Sequence, residues 1–204
     1  MDINIAGFIP ALLPVALSPG ASFTLAINSA LADGRKGLLV TMAGTALGIY
    51  THALLIGLGV TSLLVASPAL CGILKIAGTA YLLWLGVQLI RSGLGGRELT
   101  FSKGGKTITL KAAWLANVLN PKAVMFYLTV VSQFAGEKGE VSHYLLLASV
   151  HVIVMALWLV AISLLLITSA RKVNTRTLKR TINVGGGALL ILIALLTLLR
   201  WRWH

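Results

Sequence analysis

Six long apolar runs divide the chain, at 5–32, 37–64, 69–90, 110–134, 144–169 and 182–199, and short segments rich in charge, glycine and proline separate them. A bilayer core of about 30 Å needs roughly 20 apolar residues per helical span, and only helices or closed barrels satisfy their backbone groups there. These runs are long and continuous, which predicts helices rather than barrel strands. The expected fold is an all-α integral membrane protein of about six transmembrane helices, forming a single transmembrane domain over 1–204. The first run, if helical throughout, would be about 42 Å long at 1.5 Å per residue, so it must tilt, protrude or break. Pro19-Gly20 marks the break.

Composition agrees, because 57% hydrophobic residues, 11% charged residues and a mean hydropathy of +0.92 leave too little polar surface for a soluble globule. The net charge of +12 does not indicate a nucleic-acid partner, since the charges sit in short segments between apolar runs and form no basic face. It is a topology signal. Arg35, Lys36, Arg91, Arg97, Lys103, Lys106, Lys111, Arg171, Lys172, Arg176, Lys179 and Arg180 follow runs one, three and five, against Lys138, Arg200 and Arg202 on the alternate side. The positive-inside rule places the first group in the cytoplasm and both termini outside. Arg200-Trp201-Arg202-Trp203 reads as an interfacial anchor. The lone Cys71 excludes an intrachain disulfide, and the first ten residues carry only Asp2 as a charge, so the first run is expected to be retained rather than cleaved as a signal peptide.

Sliding the chain by 102 residues superposes Leu13 on Leu115, Leu17 on Leu119, Pro19 on Pro121, Gly34 on Gly136, Lys36 on Lys138 and Gly37 on Gly139. With three spans in each half, 1–102 and 103–204, the second copy must enter the membrane from the opposite side, a 3+3 inverted repeat. The prolines then mark matching breaks in helices one and four, and paired breaks free backbone groups to line a cavity near the midplane.

Four motifs in order extend over nearly the whole chain: Ser18-Pro19-Gly20; Asp33-Gly34-Arg35-Lys36-Gly37-Leu38 with Gly44 and Gly48; Leu74 to Gly86 (Leu-Lys-Ile-Ala-Gly-Thr-Ala-Tyr-Leu-Leu-Trp-Leu-Gly); and Asn117 to Ala123 (Asn-Val-Leu-Asn-Pro-Lys-Ala) with Gln133-Phe134. On these the chain resembles the LysE/RhtB family of bacterial amino-acid and metabolite exporters. It departs from the family's usual Pro-Gly-Pro followed by Asn or Asp, having Pro19-Gly20-Ala21-Ser22 instead. The resemblance implies export of an amino acid or derivative across the bacterial cytoplasmic (inner) membrane, coupled to the proton gradient.

The residues that carry chemistry are few. Lys122 lies about 12 residues from either end of its run, roughly 18 Å of helix, farther than a lysine can reach to water, so it must face a cavity or a partner. Next to the Pro121 break it either attracts a substrate carboxylate or braces carbonyls that the proline frees. Ser18, Pro19 and Gly20 supply the matching break, where free carbonyls either receive a substrate ammonium or form a packing kink. Asn120, and Asn117 beside it, either bond substrate or stitch helices together. His52 and His151, in runs two and five, are candidates for proton coupling or for bridging helices. Asp33 and Arg35 either gate the cytoplasmic end of helix one or lie in a solvated turn, and Lys75 is close enough to one end of its run to snorkel. Gly44 and Gly48 have small-xxx-small spacing, which serves internal packing or a homo-oligomer.

Enzyme and nucleotide motifs are missing: there is no His-Glu-x-x-His, no Gly-x-Ser-x-Gly, and Gly105-Lys106-Thr107 lacks the earlier glycine of a phosphate loop. No metal or other cofactor is expected. No acidic residue lies deep in any run, which argues against a cationic side chain on the substrate and for a neutral zwitterion. Beside the exporter stand two other readings, an intramembrane enzyme acting on lipid-linked substrates and a small membrane scaffold. The expected partners are the lipid bilayer and a small amino-acid-like substrate.

Overall fold

A computed structural model describes residues 3–66, 68–95, 108–136, 139–168 and 175–201. Among these residues every regular element is helical: α1 (Ile5–Leu17), α2 (Ala21–Ala66), α3 (Pro68–Leu94), α4 (Leu110–Val118), α5 (Pro121–Met125), α6 (Val141–Thr168) and α7 (Thr175–Trp201). A π-helical turn, Phe126–Val130, and a 3-10 turn, Val131–Gln133, follow α5. Among the described residues three stretches are long and apolar enough to cross a membrane, Ser22–Gly59, Val141–Leu165 and Arg176–Leu199, and Ile5–Leu17 is a shorter apolar helix. Of the charges that set sidedness, Arg97, Lys103, Lys106, Lys138, Arg171, Lys172 and Arg202 lie outside the described residues.

Both expected breaks are present. A side-chain cap starts α1, where Asn4 Oδ1 accepts from the Gly7 N–H at 2.8 Å. Ser18 ends it at φ −65°, ψ 130°, the extended conformation that a following proline imposes. In the fourth run the break falls at Leu119-Asn120, just ahead of Pro121, and Asn120 Oδ1 caps α5 by accepting from the Lys122 N–H at 3.0 Å. Proline suits the first helical position because its missing N–H would be unpaired there anyway.

The boundary expected between runs one and two is tighter than a loop. Helix continues through this region except at Asp33 (φ −122°, ψ 15°) and Gly34 (φ 58°, ψ −139°). Ser29 Oγ and Thr41 Oγ1 both donate to the Gly37 carbonyl, at 3.0 and 2.9 Å, and tie the two sides of the turn. Gly34 occupies backbone space that side-chain-bearing residues avoid. Gly34→Ala is expected to cost about 1–3 kcal/mol and to lower the unfolding temperature in detergent.

Helices meet through glycines. A Cβ on Gly44 would lie 2.5 Å from the Leu110 carbonyl oxygen, and one on Gly48 2.5 Å from Asn117 Oδ1, so α2 lies directly on α4. α2 also packs on α6, where Tyr50 and Ser149 share a hydroxyl hydrogen bond of 2.9 Å. α3 lies on α7 through Gly86 and Gly187, and Gly78 of α3 faces Thr129 and Gln133 beside the π-helical turn. The core beneath gathers Phe8, Leu12, Phe126, Tyr127, Tyr144 and Leu147. Leu55, Leu58, Ile153, Leu157, Leu192 and Leu199 point outward, a surface suited to lipid and not to water.

Candidate functional site

The two breaks come together around a cavity of about 70 Å³, room for several waters at roughly 10–15 Å³ each. Ser18, Gly20, Asn120, Lys122 and His151 line it, with Val15, Ser22, Thr45, Asn117, Phe126 and Met155 among their neighbours. Among the described residues no carboxylate lines it. Pro19 and Pro121 shape the breaks from outside the lining, and His52 is buried behind it. Asp33 and Arg35 are both exposed at the α2 turn and away from the cavity. The side chains of Cys71 and Lys75 lie outside the described residues.

The helix breaks are held by a reciprocal exchange of side chains. In a continuous helix the Val15 carbonyl would accept from the N–H of residue 19, which Pro19 lacks. Lys122 Nζ donates to that oxygen at 3.0 Å and also to Ser18 Oγ, and Ser18 Oγ in turn donates to the Val15 carbonyl at 3.1 Å. The equivalent carbonyl at the second break is that of Asn117, left without a donor four residues on because one helix ends and the next begins there. His52 Nε2 lies 3.3 Å from it, and the Asn120 N–H donates to it at 3.0 Å. A carbonyl only accepts, so His52 carries its proton on Nε2 in this contact. The carbonyl freed at each break thus takes a side chain from the other half of the chain, and the two carbonyls are themselves 102 residues apart. Of the two roles open to the lysine, the brace was placed on its own break; the ammonium instead reaches the break in helix one.

Behind the cavity the two histidines meet through a residue the sequence did not single out. Tyr127 stacks on His52 with ring centroids 5.7 Å apart and on His151 at 5.9 Å, and its hydroxyl lies 3.2 Å from His151 Nδ1. The π-helical turn that carries Tyr127 widens the backbone directly after α5, a distortion common where side chains must be re-aimed at a functional site. Val15 was also missed, although its signal was available as the residue four before a proline. Tyr127 gave no comparable signal, being one aromatic in an apolar run. Tyr81 supports the site from α3, its hydroxyl donating to the Lys122 carbonyl at 3.0 Å. Among the described residues no cluster of three or more His, Cys, Asp or Glu is placed to hold a metal.

The family model of the LysE type translocators matches residues 13–200. The chain is similar to the homoserine/homoserine lactone efflux protein of Salmonella typhimurium, 28% identical over 188 residues and 89% of each chain. To the threonine efflux protein of Escherichia coli it is 27% identical over 181 residues, 85% of this chain and 86% of that one. An uncharacterized membrane protein of Bacillus subtilis is 27% identical over 167 residues, 76% of this chain and 79% of its own. No solved structure matches. With the match running through both helix breaks and almost the whole length, the chain belongs to the family of LysE type translocators and is a multi-pass membrane transporter, not an enzyme.

Proposed function

We propose that this protein is a secondary exporter that takes a small neutral, zwitterionic amino acid or derivative from the cytoplasm, binds it between the two helix breaks and releases it outside, driven by the proton gradient. The observation that carries this reading is Lys122, an ammonium deep in an apolar bundle, facing a cavity with no carboxylate in its lining. Such a charge is costly to keep in hydrocarbon unless it has work to do. Among the described residues it is the one cation in the lining, a fixed positive partner for a substrate carboxylate. The Ser18 hydroxyl, together with the Val15 carbonyl that Pro19 leaves without a helical donor, suits the ammonium end, and Gly20 and Asn120 line the same cavity. The names of the relatives, for homoserine and threonine, point to the same substrate class.

Proton coupling would run through His52 and His151, joined by Tyr127. Asp33 and Arg35, at the end that the charge bias assigns to the cytoplasm, would gate access. Six spans in a 3+3 inverted repeat with both termini outside best accommodate the site. Three observations support that topology: the capped carbonyls of Val15 and Asn117, the positive φ of both Gly34 (58°) and Gly136 (83°), and the packing of α2 on α6 and of α3 on α7.

Cells loaded with mixed dipeptides and expressing the wild type should release one or a few amino acids several-fold faster than cells with empty vector, and Lys122→Met should fall back to the vector rate. Identical amino-acid profiles in the medium for all three, with the protein folded in the membrane, would reject amino-acid export.

A further inference from the structure

Lys122 does not wait in the cavity with its charge free. Its ammonium already rests on two acceptors from the other half of the chain, the Val15 carbonyl and Ser18 Oγ. A carbonyl left without a helical donor, beside a hydroxyl, in a cavity with no carboxylate, is an acceptor site for one ammonium. We propose that this pair is the subsite for the amino group of the substrate, and that Lys122 fills it as a tethered stand-in while substrate is absent. The inference rests on the exporter reading above and names how the site tells one ligand from another.

Two ammonium groups cannot share one pair of acceptors in so small a space. Substrate therefore binds by exchange. Its amino group takes the Val15 carbonyl and Ser18 Oγ, and its carboxylate draws the displaced Lys122 into a new ion pair across the same cavity. One zwitterion thus replaces one tether, and no charge is left without a partner. Among the described residues the other titratable groups around Lys122 are His151 on α6, Tyr127 on the π-helical turn, His52 on α2 and Tyr81 on α3, and none of them is anionic at neutral pH. Among the described residues none offers Lys122 a carboxylate, and in this exchange the ligand supplies it. A ligand with an ammonium but no carboxylate has to displace Lys122 without compensating it, and a ligand with a carboxylate but no ammonium leaves the tether in place.

The experiment is equilibrium binding to the purified full chain in detergent, with L-homoserine, L-homoserine lactone and N-acetyl-L-homoserine as probes. Wild type should prefer homoserine and bind the N-acetyl compound at least tenfold more weakly. In Lys122→Met the tether is gone, so the two other ligands should move in opposite directions. Homoserine, losing its carboxylate partner, should weaken about tenfold or more, and the lactone, losing its competitor, should bind several-fold tighter. A brace whose loss merely loosens the fold would weaken both. Ser18→Ala, which keeps Lys122, should weaken homoserine and the lactone alike by about tenfold. Equal binding of homoserine and its N-acetyl derivative by wild type would overturn the amino-group subsite and leave the exporter reading standing, as would parallel weakening of homoserine and lactone in Lys122→Met. Failure of wild type to bind any of the three would remove the exporter reading for this substrate class, and the inference with it.

Discussion

Gly187→Val is expected to remove most of the folded protein from the membrane, whereas Gly185→Ala two residues earlier is expected to leave it unharmed. Gly185, Gly186 and Gly187 are consecutive in α7, so each faces a different direction around the helix. A Cβ on Gly187 would sit 2.5 Å from the Gly86 carbonyl oxygen and 2.7 Å from Ile90 Cγ1. Gly86 is pressed in the same way, its Cβ falling 2.8 Å from the Gly187 carbonyl oxygen. Backbone meets backbone, and neither helix can yield without moving as a whole. In lipid, association of helices depends on such close approach, because there is little hydrophobic gain to drive it. A branched side chain here should cost more than the usual 1–3 kcal/mol of overpacking, about 3 kcal/mol or above. Gly185 has no atom within 4 Å of its Cβ position, so alanine meets open space and improves helix propensity by about 0.5–1 kcal/mol. Size-exclusion profiles after graded heating of the two variants decide the matter. Equal loss of the monodisperse peak in both would show that α7 tolerates no change at all and that the contact with Gly86 is not the cause.

Apolar runs revealed where helices lie, because lipid imposes one rule on every residue of a span. Less was legible where two rules compete. Arg176, Lys179 and Arg180 read as a loop, yet α7 begins at Thr175, since a helix is free to project its charged first turns beyond the hydrocarbon. The stretch 33–36 likewise read as a connection, and only Asp33 and Gly34 leave helical geometry. Proline placed both breaks within about two residues, because its effect on its neighbours is local and covalent. What the breaks hold was not legible. Lys122 is more than 100 residues from Val15 and Ser18, and periodicity says nothing about which of several freed carbonyls a long side chain will reach. The histidines show the same limit. A shift of 102 residues sets His52 against Val154 and not against His151, yet in space the two histidines flank Tyr127.

Pro19→Ala should abolish most transport without unfolding the protein, and Pro121→Ala should not. Proline at 19 does two things: it bars Ser18 from helical backbone, and it withholds the N–H that the Val15 carbonyl would otherwise accept. Alanine lifts both restraints. Helix can then run from α1 straight into α2, the Val15 carbonyl closes an ordinary helical bond, and the acceptor for Lys122 and for the substrate amino group disappears. The backbone gains a hydrogen bond, so thermal stability should hold or rise, while efflux should fall by about tenfold or more, the worth of a charge-assisted bond of about 1.5–3 kcal/mol. Pro121 stands differently. It is the first residue of α5, where its N–H would be unpaired in any case, and the Asn120 side chain caps the helix independently of it. With the cap intact the second break survives, and efflux in Pro121→Ala should stay within about twofold of wild type. If instead the two variants lose transport equally, the breaks matter as flexible joints and not as sources of a particular free carbonyl; if Pro19→Ala transports normally, the Val15 carbonyl takes no part in holding the substrate.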